Sequence, residues 1–460
     1  MGATASIADE DIRVAAGVPG SSRRARAVAI ARSDGARQAR WAWLFGVFAI
    51  AGGTEAVQTL FAFFGDESLL WFHQDFPALY AAAKMVATGS GSLLYDTAAL
   101  ADAEIAAAGQ PVGGTGVLAY FNPPFFAALL APLSSLPLDR AYQAWTLFSA
   151  VLLAVDGWLL WRIASPLPRR WRIALVAGFA TLYPVAYGLQ LGQFSLVLVT
   201  SWAAAYVLLR ASRESLAGVA LAPLLIKPEL LLPVAAYLLW KRRWRVFSTL
   251  APLAAAAVAA SIAIIGPDAA LAYPGYLLDS TTWHGDGVAT NVMFDWNGIA
   301  AMWWERPVAS QAGLLVVGVL SLATLAAVAR AWRGELDLRS PRFAVQWMLL
   351  TLATVLVDPH LYLQDTVLVV PAAAALLTAA CPHRRPVVGA ALLAGWAMLG
   401  LGIYPNEHLH VNAFGLYMAL ASTALLIFRQ ADVANCKICN TAHLRHHRQL
   451  TTDYPLFTNH

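Results

Sequence analysis

Apolar residues recur in about twelve long runs, at roughly 41–64, 141–163, 173–190, 193–210, 215–226, 229–240, 245–266, 311–332, 343–357, 361–379, 386–404 and 412–429. The runs are continuous and rich in Leu and Ala, without the period-two alternation that marks barrel strands. Each therefore predicts a helix. Since roughly 20 apolar residues span a bilayer's hydrocarbon, the pattern predicts an all-α polytopic membrane protein with about 12 transmembrane helices, boundaries uncertain by a few residues.

Two stretches depart from that pattern. Residues 122–137 are apolar but short and punctuated by Pro123, Pro124, Pro132 and Pro137, which predicts an interfacial or re-entrant helix. Runs 215–226 and 229–240 are too short to span and meet at Ile226-Lys227-Pro228-Glu229. Proline ends one helix and opens the next, so a short helical hairpin is expected, its tip below the outer surface.

Composition agrees. The 460 residues are 59% hydrophobic and 13% charged, whereas a soluble protein has about a quarter of its residues charged. That argues against a soluble globular enzyme. Three cysteines, Cys381, Cys436 and Cys439, are too few for an extracellular disulfide framework.

The net charge of +4 says little until it is sorted along the chain. Threading alternate loops to opposite sides puts 27 of the 31 basic residues on one side with both termini. The clusters are Arg162/Arg169/Arg170/Arg172, Arg210/Arg213, Lys241/Arg242/Arg243/Arg245, Arg330/Arg333/Arg339/Arg342 and Arg384/Arg385, together with both terminal tails. By the positive-inside rule that side is the cytoplasm. Lys84, Arg140, Lys227 and Arg306 remain for the outer side or the membrane interior. Residues 1–40, polar and Arg-rich, read as a disordered cytoplasmic tail; the Arg23-Arg24 pair lacks the apolar stretch of a twin-arginine signal.

Two outer loops, about 65–140 and 267–310, are long enough to be functional. The first carries Asp66, Glu67, His73, Asp75, Lys84, Asp96, Asp102, Glu104, Asp139 and Arg140. The second carries Asp268, Asp279, His284, Asp286, Asn291, Asp295 and Asn297 among Tyr273, Tyr276, Trp283, Trp296, Trp303 and Trp304. Carboxylates, amides and aromatic faces suit a sugar ring, and the tryptophans equally suit an interfacial belt.

The ordered set Asp75-Phe76-Pro77-Ala78-Leu79-Tyr80, Leu94-Tyr95-Asp96, Tyr120-Phe121-Asn122-Pro123-Pro124-Phe125-Phe126, Ala131-Pro132-Leu133, Leu191-Gly192-Gln193 and Ile226-Lys227-Pro228 resembles the GT-C class of polytopic glycosyltransferases. Within it, the resemblance is to family 87, which includes mycobacterial polyprenyl-phosphate-mannose-dependent α-mannosyltransferases, and it covers about residues 41–430. It implies a GT-C fold with juxtamembrane helices in the first long loop. The activity implied is that of an inverting hexosyltransferase of the bacterial plasma membrane. Such an enzyme moves a sugar, mannose above all, from a polyprenyl-phosphate donor to a hydroxyl of a glycolipid or glycan on the outer face. The partners expected are that donor, that acceptor and the bilayer, with no nucleic acid and no cofactor.

The resemblance further implies that an aspartate just after the first span is the general base, a place that Asp75 occupies. A sugar hydroxyl is a poor nucleophile and needs a carboxylate to take its proton; the plain alternative is that Asp75 caps the helix that follows. The lipid phosphate needs a cation as charge develops, and Lys227 at the hairpin tip is the candidate, against an ammonium snorkelling to the interface. His360, in Asp358-Pro359-His360-Leu361-Tyr362, is expected in the site or as an interfacial histidine. Lys84 and Arg140 are further candidates for phosphate or acceptor. Tyr80, Asn122 and Gln193 complete the expected substrate-binding set, with Gln193 equally suited to closing a tight turn.

Asp156, inside the span 141–163, is expected to make a structural hydrogen bond, and Asp365 is a minor site candidate. Among the outer acids no Asp-x-Asp pair appears, and a pairing of Asp75 with Asp286 or Asp295 would be remote, so metal-independent chemistry is expected. Residues 431–460 hold Cys436, Cys439, His443, His446 and His447 without a recognisable zinc spacing and read as a disordered tail. The competing functional class is a transporter or flippase, which would show repeated halves and midplane polar residues; no repeat is evident. A non-catalytic scaffold would leave Asp75 dispensable.

Overall fold

The computed structural model describes residues 22–64, 75–112, 117–280, 292–301, 303–304, 310–382, 384–401, 417, 421 and 424. The chain divides into two compact units, Met1–Gly53 and Thr54–His460. All regular structure among the described residues is helical.

In the first unit a single helix begins at Ser22 and continues to Phe64 in the second. Residues 22–40, expected as part of a disordered tail, are therefore helical. Their Ala and Arg content explains it, because both residues favour helix.

In the second unit the helices fall on the apolar runs. Among the described residues of the whole chain, five helices are long and apolar enough to cross a membrane: Arg40–Phe64, Leu138–Ile163, Arg169–Leu191, Trp244–Ile265 and Gln311–Ala331. Shorter apolar helices include Ser195–Arg210, Glu214–Ile226, Pro228–Trp240, Pro341–Val357, Leu363–Ala379 and Arg385–Leu399. The run 412–429 and the tail 431–460 lie outside the described residues, apart from Tyr417, Ala421 and Ala424. Trp244–Ile265 and Gln311–Ala331 leave most of their apolar surface uncovered, which only hydrocarbon accommodates.

Proline sets many of the boundaries. It stands in the first turn of Phe76–Ala87, Pro124–Leu130, Tyr183–Leu191, Pro228–Trp240, Pro341–Val357 and Arg385–Leu399, where its missing N–H is no loss. The first long loop folds into the helices Phe76–Ala87, Thr97–Ala108 and Pro124–Leu130, the last running into a 3-10 turn over Ala131–Ser135. The stretch 122–137 thus forms a short broken helix.

The Lys227 corner is a splayed hairpin. Glu214–Leu221 packs on Trp244–Ile265, whereas Pro228–Trp240 packs on Pro341–Val357. The feet come together, since Arg243 pairs with Glu214 at 3.0 Å. Around them Lys241 Nζ donates to the Gly334 carbonyl at 2.8 Å and Arg210 to the Ser340 carbonyl at 2.7 Å. Three of the basic loops therefore share one end of the bundle. Lys227 stands about 20 Å away, one 13-residue helix length at 1.5 Å per residue.

The centre is aromatic. Trp202, Trp347, Tyr206, Phe343 and Trp332 are buried in mutual contact, with Tyr206 and Phe343 stacked at 5.5 Å. Two of the three indoles are satisfied, Trp202 Nε1 donating to Thr351 and Trp332 Nε1 to the Gln346 carbonyl, whereas Trp347 Nε1 has no hydrogen-bond partner among the described residues. Asp156 accepts from Thr200 Oγ1 at 2.7 Å, a hydrogen bond joining Leu138–Ile163 to Ser195–Arg210.

Candidate active site

A cavity of about 260 Å³, enough for one sugar ring rather than a whole glycolipid, is bounded by Asp75, Asn122, Gln193, Lys227, Glu229 and His360. These residues come from the first long loop, the turn after Leu191, the hairpin tip and the segment that follows Pro341–Val357. Chain folding brings them together from positions up to 285 residues apart.

Asp75 precedes the helix Phe76–Ala87 but makes no capping hydrogen bond to it. Its Oδ2 instead accepts from Gln193 Nε2 at 2.6 Å, and its backbone N–H donates to the Leu191 carbonyl at 3.1 Å. The turn that permits this is closed by Gly192, whose φ of 71° is left-handed. A Cβ there would stand 2.6 Å from that of Phe76, so glycine lets the turn approach Asp75 closely. Tyr142 Oη donates at the same helix end, to the Gln190 carbonyl at 3.0 Å and the Leu189 carbonyl at 3.2 Å. Burial raises the Asp75 pKa to about 6, against the lowering effect of Gln193, with a further upward push from Asp365.

The opposite wall is an ion-pair network. Lys227 Nζ lies 2.8 Å from Asp365 Oδ2 and 3.2 Å from Asp358 Oδ2, and donates to the His360 carbonyl at 2.9 Å. Three acceptors thus face its three N–H groups. Asp365 Oδ1 also accepts from Ser195 at 2.7 Å, and Asp358 Oδ1 from the His360 backbone N–H at 2.7 Å. Burial, reinforced by the Lys227 charge, lowers the His360 pKa to about 3, so the imidazole is neutral.

The loop bearing His360 is gripped from its other side by the second long loop. Asp295 Oδ2 accepts from the Leu361 N–H at 2.9 Å, Asn297 Nδ2 donates to the Pro359 carbonyl at 2.9 Å, and the Phe294 N–H donates to the Leu361 carbonyl at 2.8 Å. Asp295 and Asn297, counted among the sugar-binding materials, hold this loop. Trp296 donates to Thr324 at 3.1 Å, and neither it nor Trp303 or Trp304 bounds the cavity.

Tyrosines shape the roof. Four consecutive carbonyls, from Tyr120 to Pro123, accept from the hydroxyls of Tyr276, Tyr273, Tyr95 and Tyr120 in turn, at 3.3, 2.7, 2.9 and 3.2 Å. Asn122 Nδ2 donates to the Ile226 carbonyl at 3.1 Å, tying this strap to the hairpin tip. Phe121 then meets the His360 ring edge-on at 5.2 Å.

Three expected site residues face elsewhere. Tyr80 Oη donates to the Leu136 carbonyl at 2.7 Å and Lys84 Nζ to the Ser134 carbonyl at 3.1 Å. One helical turn apart, the two latch the 131–136 segment to Phe76–Ala87. Arg140 is exposed, with Gln143 and Asp139 as partners. None of the three bounds the cavity. Glu229 does, and it was missed because an acid after a helix-opening proline reads as first-turn stabilisation.

Among the described residues, no group of three or more His, Cys, Asp or Glu side chains converges as a metal site. Asp66, Glu67, His73, Trp283, His284, Asp286, Asn291, Arg306 and the Cys/His tail lie outside the described residues.

Apolar helices long enough to cross a membrane, together with a small cavity lined by carboxylates, amides and aromatic faces, define a helical membrane protein with a sugar-sized polar site. The chain belongs to glycosyltransferase family 87, whose family model matches residues 120–359. It is therefore a glycosyltransferase, and the enzyme reading prevails over a transporter or scaffold. No curated protein and no solved structure matches the chain.

Proposed function

We propose that this glycosyltransferase takes a sugar, mannose above all, from a polyprenyl-phosphate donor and transfers it with inversion to a hydroxyl of a glycolipid or glycan acceptor. The observation that carries this reading is the Asp75 carboxylate at the cavity, left free by the helix it precedes and oriented by Gln193. In the proposed step Asp75 takes the acceptor hydroxyl's proton while the acceptor oxygen bonds to the anomeric carbon. The bond from that carbon to the phosphate oxygen breaks on the opposite face, and its electron pair leaves with the lipid phosphate. A carboxylate whose pKa is near 6 is ionised at neutral pH yet basic enough to accept that proton.

The phosphate is assigned to the wall formed by His360 and Lys227. The ammonium already has three acceptors, and the longest contact, 3.2 Å to Asp358, is the one that a phosphate oxygen would displace. The isoprenoid chain would enter laterally from the bilayer. The outer face is assigned to the cavity because the basic loops gather at the other end of the hairpin, which the positive-inside rule puts in the cytoplasm.

Purified protein incubated with a panel of polyprenyl-phosphate sugars and membrane glycolipids, with products read by mass spectrometry, tests the proposal. Transfer is expected, with Asp75→Asn abolishing it while donor binding persists. Near-normal turnover by Asp75→Asn would remove the base assignment.

A further inference from the structure

The Lys227-Pro228-Glu229 corner presents two charged side chains to the cavity, and they differ in how they are satisfied. Lys227 has three protein acceptors within 3.2 Å. Glu229 has no ion pair and no side-chain hydrogen-bond partner among the described residues; its carboxylate is met by its own backbone N–H, with the Asp358 carboxylate and the Lys227 ammonium as charged neighbours. Its place at the cavity is fixed by the two residues before it, Pro228 at the helix start and the anchored Lys227.

A carboxylate facing a cavity, with most of its lone pairs unused, asks for hydrogen-bond donors once a ligand displaces water, since leaving it unmatched then is costly. Vicinal hydroxyls of a sugar supply them in pairs. A phosphate cannot, because two anions repel, and an isoprenoid chain has no donor at all. Asp365 raises the Asp75 pKa and contributes to the field at Glu229, whereas no direct influence between Asp75 and Glu229 is resolved. Glu229 therefore belongs with the Lys227 and His360 wall, on the side proposed for the donor. Tyr273, whose electrostatic neighbour is Glu229, closes the same side with its ring.

We propose that Glu229 is the residue that selects the donor sugar, by accepting hydrogen bonds from hydroxyls of its ring. This deepens the proposed function and rests on it. A first-turn glutamate also favours the helix dipole, but that role affects stability without distinguishing one sugar from another.

The test is a cycle between enzyme and donor. Full-length protein, its Glu229→Gln and Glu229→Ala variants and the shorter Glu229→Asp are assayed with polyprenyl-phosphate-mannose and its monodeoxy analogues, each variant checked for an unchanged unfolding temperature. Wild type is expected to lose about 10- to 100-fold in kcat/KM with at least one deoxy donor, the size of a hydrogen bond to a charged group. Glu229→Gln and Glu229→Ala should lose a similar factor with the parent donor and show little further loss with that same deoxy donor. If every deoxy penalty is as large in Glu229→Ala as in wild type, Glu229 does not read the sugar. Should Glu229→Ala fail to fold, the same comparison in Glu229→Gln decides. Wild type turning over none of these donors would overturn the donor class itself, and the Glu229 role with it, a result distinct from normal turnover with unchanged selectivity.

Discussion

Gln193 Nε2 donates to Asp75 Oδ2 at 2.6 Å, so an amide from a turn between two helices orients the carboxylate proposed as the base. The bond favours the ionised form, opposing the burial that raises the Asp75 pKa to about 6. A base works only when deprotonated. Turnover should therefore be flat above that pH and fall as pH drops through about 6. Gln193→Leu removes the favourable bond, so the Asp75 pKa must rise and the acid limb must move to higher pH, by roughly one unit or more for a hydrogen bond to a charged group. A pH profile of kcat/KM in the two proteins measures it. An unmoved limb would mean that Gln193 serves the turn alone.

Lys227 should matter to stability as well as to turnover. Its ammonium is enclosed by Asp365 at 2.8 Å, Asp358 at 3.2 Å and the His360 carbonyl at 2.9 Å. Lys227→Met leaves two carboxylates without their counter-ion, a change that destabilises by about 3–5 kcal/mol when such a pair is buried. Adding Asp365→Asn removes one of the stranded charges and should recover part of that loss. Denaturation in detergent of the single and double variants reads both effects; additive losses would mean that the two residues are not coupled.

How far these arrangements were visible beforehand depends on distance along the chain. The apolar runs gave the helices because burial in hydrocarbon imposes a long, local pattern, and Ile226-Lys227-Pro228 announced its corner through proline. Asp75, Asn122, Gln193 and Lys227 stood out as parts of an ordered set, and His360 as a histidine at an outer span end; all five bound one cavity. Tyr80, Lys84 and Arg140 were singled out by the scarcity of outer cations and by position in a motif. The carbonyls that Tyr80 and Lys84 satisfy, Leu136 and Ser134, lie about 50 residues on and leave no mark on the local pattern. The same holds for Asp295 and Asn297, whose partners Leu361 and Pro359 are more than 60 residues away. In residues 22–40 the charge suggests solvation, while the helix there follows from local Ala and Arg propensity.

The tyrosine strap predicts a graded response. Tyr273 Oη reaches the Phe121 carbonyl at 2.7 Å, whereas Tyr276 Oη reaches the Tyr120 carbonyl at 3.3 Å, so the first bond is the stronger. Tyr273→Phe should destabilise by about 1 kcal/mol, the usual net value of one hydrogen bond, and Tyr276→Phe by less. Because the Phe121 ring rests on His360 at 5.2 Å, Tyr273→Phe should also lower turnover more than Tyr276→Phe does. Equal effects on both measurements would show that the strap is held by ring packing rather than by its hydroxyls.

Gly192 offers a separation of backbone strain from site geometry. Its φ of 71° and that of Gly109, 74°, lie in the same left-handed region, where a Cβ costs about 1–2 kcal/mol. Nothing stands within 4 Å of a Cβ at Gly109, but at Gly192 the added atom would lie 2.6 Å from the Cβ of Phe76. Phe76 is buried and adjoins Asp75, so relief of that clash must move the turn carrying Gln193 or the start of the helix behind Asp75. Gly109→Ala should therefore lose stability with little change in turnover. Gly192→Ala should lose stability further and reduce turnover out of proportion, as the 2.6 Å bond between Gln193 and Asp75 is disturbed. Thermal unfolding and initial rates on the two variants make the comparison. Equal rates in both would mean that the Asp75 turn tolerates displacement, and that its close approach to Phe76 is a matter of packing alone.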